Sequence, residues 1–184
     1  GRRLKGESIM ADLEFNTTAG QTIARELLIA YLNTGTAESP SWSAFGKRVE
    51  DSDEEMDWSQ ESTQDILGNT WTTMKKPIIT QSFDPIPMDA GDAAAVKLWN
   101  LGVKDQNAQS LANQDMLIAH FYADSGEATF AERYSGSAIA VTRIGGEGGG
   151  NLEISTEITY GGERTLGTVT RTGSTVTFTP DGAV

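Results

Sequence analysis

The 184-residue sequence contains no cysteine and a single histidine. The absence of cysteine excludes disulfide bonds and thiolate metal sites. His120 stands in the apolar stretch LIAHFYA, and we expect it to be a hydrogen-bonded core residue rather than a general base. Nucleophilic catalysis usually needs a nucleophile beside such a base. The 26 acidic residues include no evident catalytic carboxylate pair. The sequence therefore predicts a protein that is not an enzyme, with no catalytic residue, metal or cofactor.

Long apolar runs are also missing. No stretch approaches the ~18 apolar residues typical of a membrane-spanning helix, so no membrane partner is expected. The first nine residues, GRRLKGESI, lack the apolar stretch of about 7–15 residues found in a signal peptide. We interpret residues 1–9 as a cloning remnant or an upstream leader, with Met10 as the natural start.

Basic residues are scarce, because 14 Lys and Arg face 26 Asp and Glu, giving a net charge of −12. Such a chain should repel nucleic acids, whose binding depends largely on cations that displace phosphate counterions. An EF-hand starting at Asp51 would need glycine at its sixth position, where Met56 stands. A looser calcium site remains an alternative to the favoured exposed acidic face. This acidic cluster consists of Glu50, Asp51, Asp53, Glu54, Glu55 and Asp57.

Glycine, by contrast, is concentrated in the stretch RIGGEGGGNLEIS, which raises the possibility of a phosphate-binding loop. Gly145 and Gly150 have the spacing of such a loop, but Asn151 and Leu152 follow instead of lysine and a hydroxyl residue. A strand pattern follows where a helix is required, and Glu147 adds a negative charge. The run is therefore predicted to connect two strands.

The remaining pattern predicts a mainly β protein, a β-sandwich or barrel of about eight strands with one flanking α-helix. The helix is expected in MDAGDAAAVKLWNLGV, with Asp89 or Asp92 as its N-cap. Its buried face would contain residues 95, 98, 99 and 102. Alternating apolar residues predict several strands after the helix, and the segment 172–174 is predicted to be a hairpin turn.

Five segments, taken in order, resemble those of the major tail protein, or tail tube protein, of long-tailed bacteriophages. The first apolar strand ends in YLNTG, and a tryptophan–glycine strand leads into a hairpin. A D-I-x-G loop, an F-D-P strand followed by G-D and the helix, and glycine-led terminal strands come after it. The later segments read PSWSAFGKRVEDSDEEMDWS, ESTQDILGNTWTT, SFDPIPMDAGDAAAVKLWNL and GGGNLEISTEITYGGERTLGTVT.

This resemblance implies one tail-tube-like domain over residues 10–184, with an N-terminal arm (10–22) and a long inter-ring loop (59–77). It implies hexameric rings that stack into a hollow tube in the virion tail, assembled in the host bacterial cytoplasm. Genomic DNA would pass through without specific binding, and the tape measure and tail-tip proteins would be partners. The acidic cluster would face the lumen or be otherwise exposed. The residues expected at contacts between subunits are Asp65, Ile66, Leu67, Gly68 and Trp71.

Two alternatives stay open at this point. The first is the tube protein of a contractile tail or of a secretion apparatus. The second is a carbohydrate-binding β-sandwich module that stacks sugars on Trp58 or Trp71, the two tryptophans that flank the polar segment.

Overall fold

The structure, a computed structural model, describes residues 11–125 and 128–181, so the predicted leader and Met10 lie outside the described residues. The predicted mainly β fold is confirmed. The described ranges contain twelve strands: β1 Glu14–Phe15, β2 Leu28–Asn33, β3 Trp42–Ala44, β4 Glu54–Asp57, β5 Glu61–Gln64, β6 Thr70–Thr73, β7 Ile78–Pro87, β8 Gln114–Ser125, β9 Ala128–Gly145, β10 Glu153–Tyr160, β11 Arg164–Thr172 and β12 Thr175–Pro180.

Ten of these strands form one antiparallel sheet that divides at β9 into two halves. Half I has the order β3-β2-β8-β9-β11-β12, and half II has the order β9-β10-β7-β4. Strand β9 belongs to both halves because its residues 128–137 pair with β8, whereas residues 138–145 pair with β10. The ends of half I approach each other, since β12 comes back beside β3.

A close glycine contact marks the point where β10 gives way to β11 along β9. Gly162 has a φ of +77°, and a Cβ atom there would lie 2.4 Å from the backbone N of Gly136. The backbone N–H of Gly136 also donates to the carbonyl of Gly161 at 3.1 Å. Only glycine combines this backbone conformation with so close an approach. The glycines therefore allow one continuous sheet to bend into two packed halves.

Two apolar clusters fill the molecule. The larger lies between half I, half II and the helix, and includes the fully buried Leu32, Leu98, Met116, Ile118 and Ile154. The smaller lies on the other face of half I under the β11–β12 hairpin. Its buried members are Tyr31, Trp42, Leu117, Ala119, Phe121, Ala131, Val169 and Val176. This alternation of faces along β8 explains why LIAHFYA reads as a continuous apolar run.

The predicted helix is present as α1, Ala93–Trp99, and continues as a wider π-helical turn over Asn100–Lys104. Asp92 is the N-cap, since its carboxylate accepts a hydrogen bond from the backbone N–H of Ala95 at 3.3 Å. Asp89 instead forms an ion pair with Lys47 at 2.7 Å. Leu98 is fully buried, which for a leucine side chain stabilises the fold by about 2 kcal/mol.

Further short elements were not predicted. A 3₁₀ turn at Arg25–Leu27 precedes β2, and the short helix α2, Ala108–Leu111, follows the π-helical turn. The segment 59–77, predicted as a loop, contains the paired strands β5 and β6. The glycine run joins β9 to β10, as predicted. No helix within the described ranges has the length and apolar character needed to cross a membrane.

Candidate functional site

A hairpin formed by β5 and β6 projects from the body of the molecule. The two strands pair with each other and with no other strand in the described ranges. Every residue from 58 to 76 is exposed except Asp65, which is half-buried. We call residues 59–76 the projecting hairpin. Its turn runs from Asp65 to Asn69, and Gly68 provides the left-handed conformation there, with a φ of +82°. A hairpin with so little buried surface must be held in shape by its own turn.

The carboxylate of Asp65 organises that turn. Its Oδ1 accepts hydrogen bonds from the backbone N–H groups of Leu67 and Asn69, each at 2.9 Å. Its Oδ2 accepts the indole N–H of Trp71 at 3.0 Å. The bond from Trp71, followed by that from the Asn69 backbone, holds the pKa of Asp65 below its usual value. The turn thus brings together Asp65, Gly68 and Trp71, three of the residues predicted at subunit contacts.

The other two predicted contact residues form the apolar tip of the hairpin. Ile66 is fully exposed and Leu67 is 80% exposed. Trp71 is also largely exposed, and its ring lies against the same turn through its bond to Asp65. Contiguous apolar side chains that face solvent mark an interaction site in soluble proteins. Further exposed apolar residues continue towards the base of the hairpin: Met56, Trp58, Met74 and Ile78.

The acidic cluster lies on β4 and on the segment before it, and it does not form one site. Glu55 and Asp57 are exposed on β4, whereas Glu54 is half-buried and lies near the charges of His120, Glu132 and Arg25. Glu50, Asp51 and Asp53 are exposed. Within the described ranges, no group of three or more His, Asp or Glu side chains could hold a metal ion. The loose calcium site considered from the sequence therefore finds no ligand cluster among these residues.

The outer face of half II carries small and acidic side chains. Successive residues of a strand point to opposite faces, so the register identifies this outer face. Glu157 lies between Ser82 on β7 and Ala140 on β9. Thr159 lies in the next row between Thr80 and Ala138, and Glu55 continues that row on β4. The exposed Asp84 extends the face further. These rows consist of two glutamates separated by short side chains.

Both edges of half II are unpaired in the described chain. Strand β4 pairs with β7 on one side and has no strand on its other side. At the opposite edge, β9 residues 138–145 pair with β10 but extend past the end of β8. Unpaired edges present rows of free N–H and C=O groups that pair readily with another chain.

A polar network that the sequence did not reveal lies within half I, on β8, β9 and β11. The Glu132 carboxylate accepts hydrogen bonds from His120 Nε2 and from the Tyr134 hydroxyl, each at 2.7 Å. Arg164 donates to the same carboxylate at 3.0 Å. In the tautomer with its proton on Nε2, towards Glu132, the Nδ1 atom of His120 accepts a hydrogen bond from the Tyr122 hydroxyl at 2.7 Å. His120 is hydrogen-bonded, as predicted, but it is half-buried rather than part of either apolar cluster.

Two glutamates in and near this network have pKa values shifted in opposite directions. Burial raises the pKa of Glu54 to about 6, and the charge of Glu132 adds to this shift while His120 and Arg25 oppose it. Burial alone would also raise the pKa of Glu132. The hydrogen bonds from His120 and Tyr134 and the charge of Arg164 outweigh it, so the pKa of Glu132 is lowered to about 2. Glu132 is therefore the fixed anion of the network.

An open groove with a volume of about 1100 Å³ lies beside β2 and β3. Its apolar lining includes Leu28, Ile29, Phe45 and Val49. Its cations are Arg25, Lys47 and Arg171, and its acids are Glu26, Glu50 and Asp92. Neither Trp58 nor Trp71, the two residues considered for sugar stacking, lines this groove. The groove is assembled from distant segments, which is why no sequence motif indicates it.

No protein-family model matches the sequence, and no curated protein sequence matches it. Three cryo-EM structures are similar in fold. The sheath/tube terminator of an extracellular contractile injection system, PVC, in the extended state aligns with a TM-score of 0.50 and 7% identity over 81% of this chain and 99% of that one. A chain of the sheath-tube complex of that system aligns with a TM-score of 0.47 and 8% identity over 82% of this chain and 95% of that one. The anti-feeding prophage cap, a tube terminating cap, aligns with a TM-score of 0.47 and 11% identity over 83% of this chain and 95% of that one.

At 7% identity, the likeness to the terminator concerns the fold alone. It extends over nearly the whole of that chain and most of this one. The protein therefore has a mainly β fold of the kind found in tube-related proteins of a tail-like injection system.

Proposed function

We propose that this protein is a structural subunit of a phage tail tube, or of the tube of a related contractile particle, and that it assembles into stacked hexameric rings. The observation that carries the proposal is the pair of unpaired edges of half II. Strand β4 runs antiparallel to β7, and the alternation β9-β10-β7-β4 continues unbroken if β4 of one copy meets β9 residues 138–145 of the next. Six copies joined in this way close half II into a ring in which neither β4 nor β9 keeps a free edge.

The outer face of half II supports a role as the lining of a DNA conduit. Duplex DNA carries one negative charge per ~1.7 Å of its axis, so an acidic wall repels it and prevents adhesion. The exposed carboxylates Glu55, Asp84 and Glu157 belong to this face. Arg143 pairs with Asp84 at 3.6 Å, and the side chains at Thr80, Ser82, Ala138, Ala140 and Thr159 are small and neutral. DNA passes as a passive cargo in this proposal, without sequence-specific contacts.

The projecting hairpin bridges one ring to the next in this proposal, through Ile66, Leu67 and Trp71. The N-terminal arm (10–22) reaches a neighbouring subunit. In the single chain, β1 pairs with β8 of the same molecule, and Asn16 donates to the carbonyl of Phe121 at 2.8 Å. Both β1 residues are exposed, so this short pairing is easily exchanged for one on a neighbour. Further proposed partners are the tape measure and tail-tip proteins, and the proposed location is the virion tail after assembly in the bacterial cytoplasm.

Electron microscopy of concentrated protein tests the proposal directly. We expect rings or hollow tubes, and a light-scattering mass several times that of the monomer. Because assembly can depend on an initiator, the sample is also mixed with a tail-tip complex. A protein that stays monomeric at its solubility limit, with and without the tail-tip complex, contradicts the proposal.

The terminator likeness favours a second candidate, a protein that caps the end of a tube. Microscopy separates the two, because a terminator forms single rings that do not stack. Rings that remain single at every concentration and bind only to tube ends would favour the cap.

A further inference from the structure

Glu54 is a carboxylate on an edge strand that points into the molecule rather than away from it. It lies opposite Gln81 of β7, and Gln81 in turn lies opposite Ile158 of β10. Residues that face each other directly across paired strands share one side of a sheet. Because Gln81 and Ile158 are buried between the two halves, Glu54 belongs to that inner side as well. The other residues of β4, 55–57, are exposed.

A second carboxylate enters the same space from half I. Glu132 lies opposite Ile118, whose side chain belongs to the larger apolar cluster, so Glu132 faces half II. Hydrogen bonds from His120, Tyr134 and Arg164 hold Glu132 as an anion. Among the described residues, none donates a hydrogen bond that stabilises the Glu54 carboxylate in the same way. A partly buried carboxylate without donors, close to a second carboxylate, is disfavoured as an anion.

The other charged and titratable groups around Glu54 do not reverse this balance. Burial has the largest effect and raises the pKa of Glu54 to about 6, and the charge of Glu132 acts in the same direction. The charges of His120 and Arg25 oppose it only in part. The groups that face Glu54 are Arg25 from the 3₁₀ turn, His120 and Tyr122 from β8, Glu132 from β9 and Tyr160 from β10.

The chain is firmly anchored just before β4. The Ser52 hydroxyl donates to the carbonyl of Ser82 at 2.7 Å and accepts a hydrogen bond from Gln81 Nε2 at 3.1 Å. Arg25 donates to the carbonyl of Ser52 at 2.7 Å. These bonds fix residue 52 to β7 and to the 3₁₀ turn independently of β4.

Strand β4 itself is weakly held. Within the described ranges it pairs only with β7. Its second inward residue, Met56, lies opposite the buried Ile79 but is 54% exposed. A segment with few buried apolar contacts opens at a low cost in free energy. Strand β4 is therefore able to leave β7 while the anchor at Ser52 and the body of the protein stay in place.

We propose that protonation of Glu54 controls whether β4 stays paired with β7. The protonated side chain fits between the two halves, whereas ionisation shifts the equilibrium towards a detached β4 whose carboxylate is hydrated. An inward-pointing charge is one of the devices that protect an edge strand from unwanted pairing. In the proposed ring β4 supplies one of the joining edges, so this proton also sets how much of the free subunit is ready to assemble. That consequence rests on the proposed function, whereas the pairing of β4 in the monomer does not.

Hydrogen exchange in the monomer tests the inference. Protection factors, the intrinsic exchange rate at each pH divided by the observed rate, are measured for residues 54–57 in dilute protein at pH 5 and pH 8. With an ordinary pKa of 4.5 for Glu54 and a pKa of about 6 while β4 is paired, we expect protection to fall roughly eightfold over this range. The buried segment 117–119 identifies any contribution from unfolding of the body.

Three variants define the result. Glu54→Gln removes the charge, so residues 54–57 should be as protected at pH 8 as at pH 5, and Glu54→Met gives the same comparison if the amide is not tolerated. Glu55→Gln, at an exposed position of the same strand, should keep the full change. The inference is overturned if the unmodified chain shows no change at 54–57, or if the Glu54 variants keep it. Either outcome leaves the proposed function intact, because failure of that function appears instead as the absence of rings or tubes by microscopy.

Discussion

Asp65 is the residue on which the shape of the hairpin tip depends. Replacing it with alanine removes the acceptor for Leu67, Asn69 and Trp71 together. We expect Asp65→Ala to raise the protein concentration needed for assembly severalfold, because Ile66 and Leu67 are then no longer held for docking. The unfolding temperature should not change, since the hairpin lies outside the core. Light scattering and thermal unfolding measure the two effects.

The matched control for this variant is Thr63→Ala, an exposed position on β5. It should assemble like the unmodified chain. If Asp65→Ala assembles at the same protein concentration as the unmodified chain, assembly does not depend on the hydrogen bonds that fix the turn.

The carboxylate of Glu54 is expected to lower the free energy of unfolding at neutral pH. Its pKa of about 6 in the folded chain lies above its ordinary value of 4.5. The raised value means that folding favours the protonated acid, so this stabilisation is complete below pH 4.5 and is lost as the pH rises through 6. We expect Glu54→Gln to increase the free energy of unfolding at pH 7 by about 1–2 kcal/mol. Urea unfolding should show this gain shrinking at pH 5.

Glu55→Gln is the control for this measurement, because Glu55 is the next residue of β4 and is exposed. It should change stability by less than ~0.5 kcal/mol, as exposed substitutions usually do. A loss of stability for Glu54→Gln at pH 7 would mean that the carboxylate is stabilised in the network rather than penalised.

At the scale of elements, the glycine contact between β9 and the β10–β11 connection is a specific requirement of the fold. A Cβ atom at position 162 would clash with the backbone of Gly136 and would need an unfavourable φ. We expect Gly162→Ala to destabilise the protein by at least ~2 kcal/mol, measured by urea unfolding. Gly149→Ala is the comparison, because its φ is also positive but its Cβ would meet open space. Equal losses of stability for both variants would mean that the backbone near Gly136 moves to accommodate the Cβ atom without a further loss of stability.

The projecting hairpin is the element whose removal should prevent assembly without preventing folding. Deleting Glu61–Lys76 removes exposed residues and leaves both apolar clusters complete. We expect the shortened chain to retain the circular dichroism spectrum and cooperative unfolding of the body, but to form no tubes. Tubes formed by the shortened chain would contradict the role proposed for the hairpin.

At the scale of the whole molecule, ring closure predicts where backbone amides become protected. In the monomer, the outer edges of β4 and of β9 residues 138–145 have no strand partner within the described ranges. Assembly should slow hydrogen exchange at residues 54–57 and 138–145, because the two edges then pair with each other. The buried segment 117–119 serves as the internal reference, since it is protected in both states. Unchanged exchange at both edges in assembled particles would exclude this mode of closure.

Sequence patterns predicted the elements that have a strong local signal. The helix was recognisable from its capping Asp92 and the spacing of Ala95 and Leu98, and the turn at 172–174 from its residues. Strands β5 and β6 were missed because ESTQ and TWTT have no alternation of apolar and polar residues. Their pairing depends instead on the turn that Asp65 closes with Trp71.

The sequence by itself excluded disulfide bonds and a phosphate-binding loop, argued against nucleic-acid binding, and determined the mainly β fold class. The lack of cysteine, the excess of acids and the failed phosphate-loop pattern are properties of composition or of adjacent residues, and the β character follows from short-range alternation. The tertiary structure decided the rest. It made β9 common to two halves, left β4 without an outer partner, and brought Glu54 near His120 and Glu132. These features depend on contacts between residues far apart in the chain, for which local patterns carry no information.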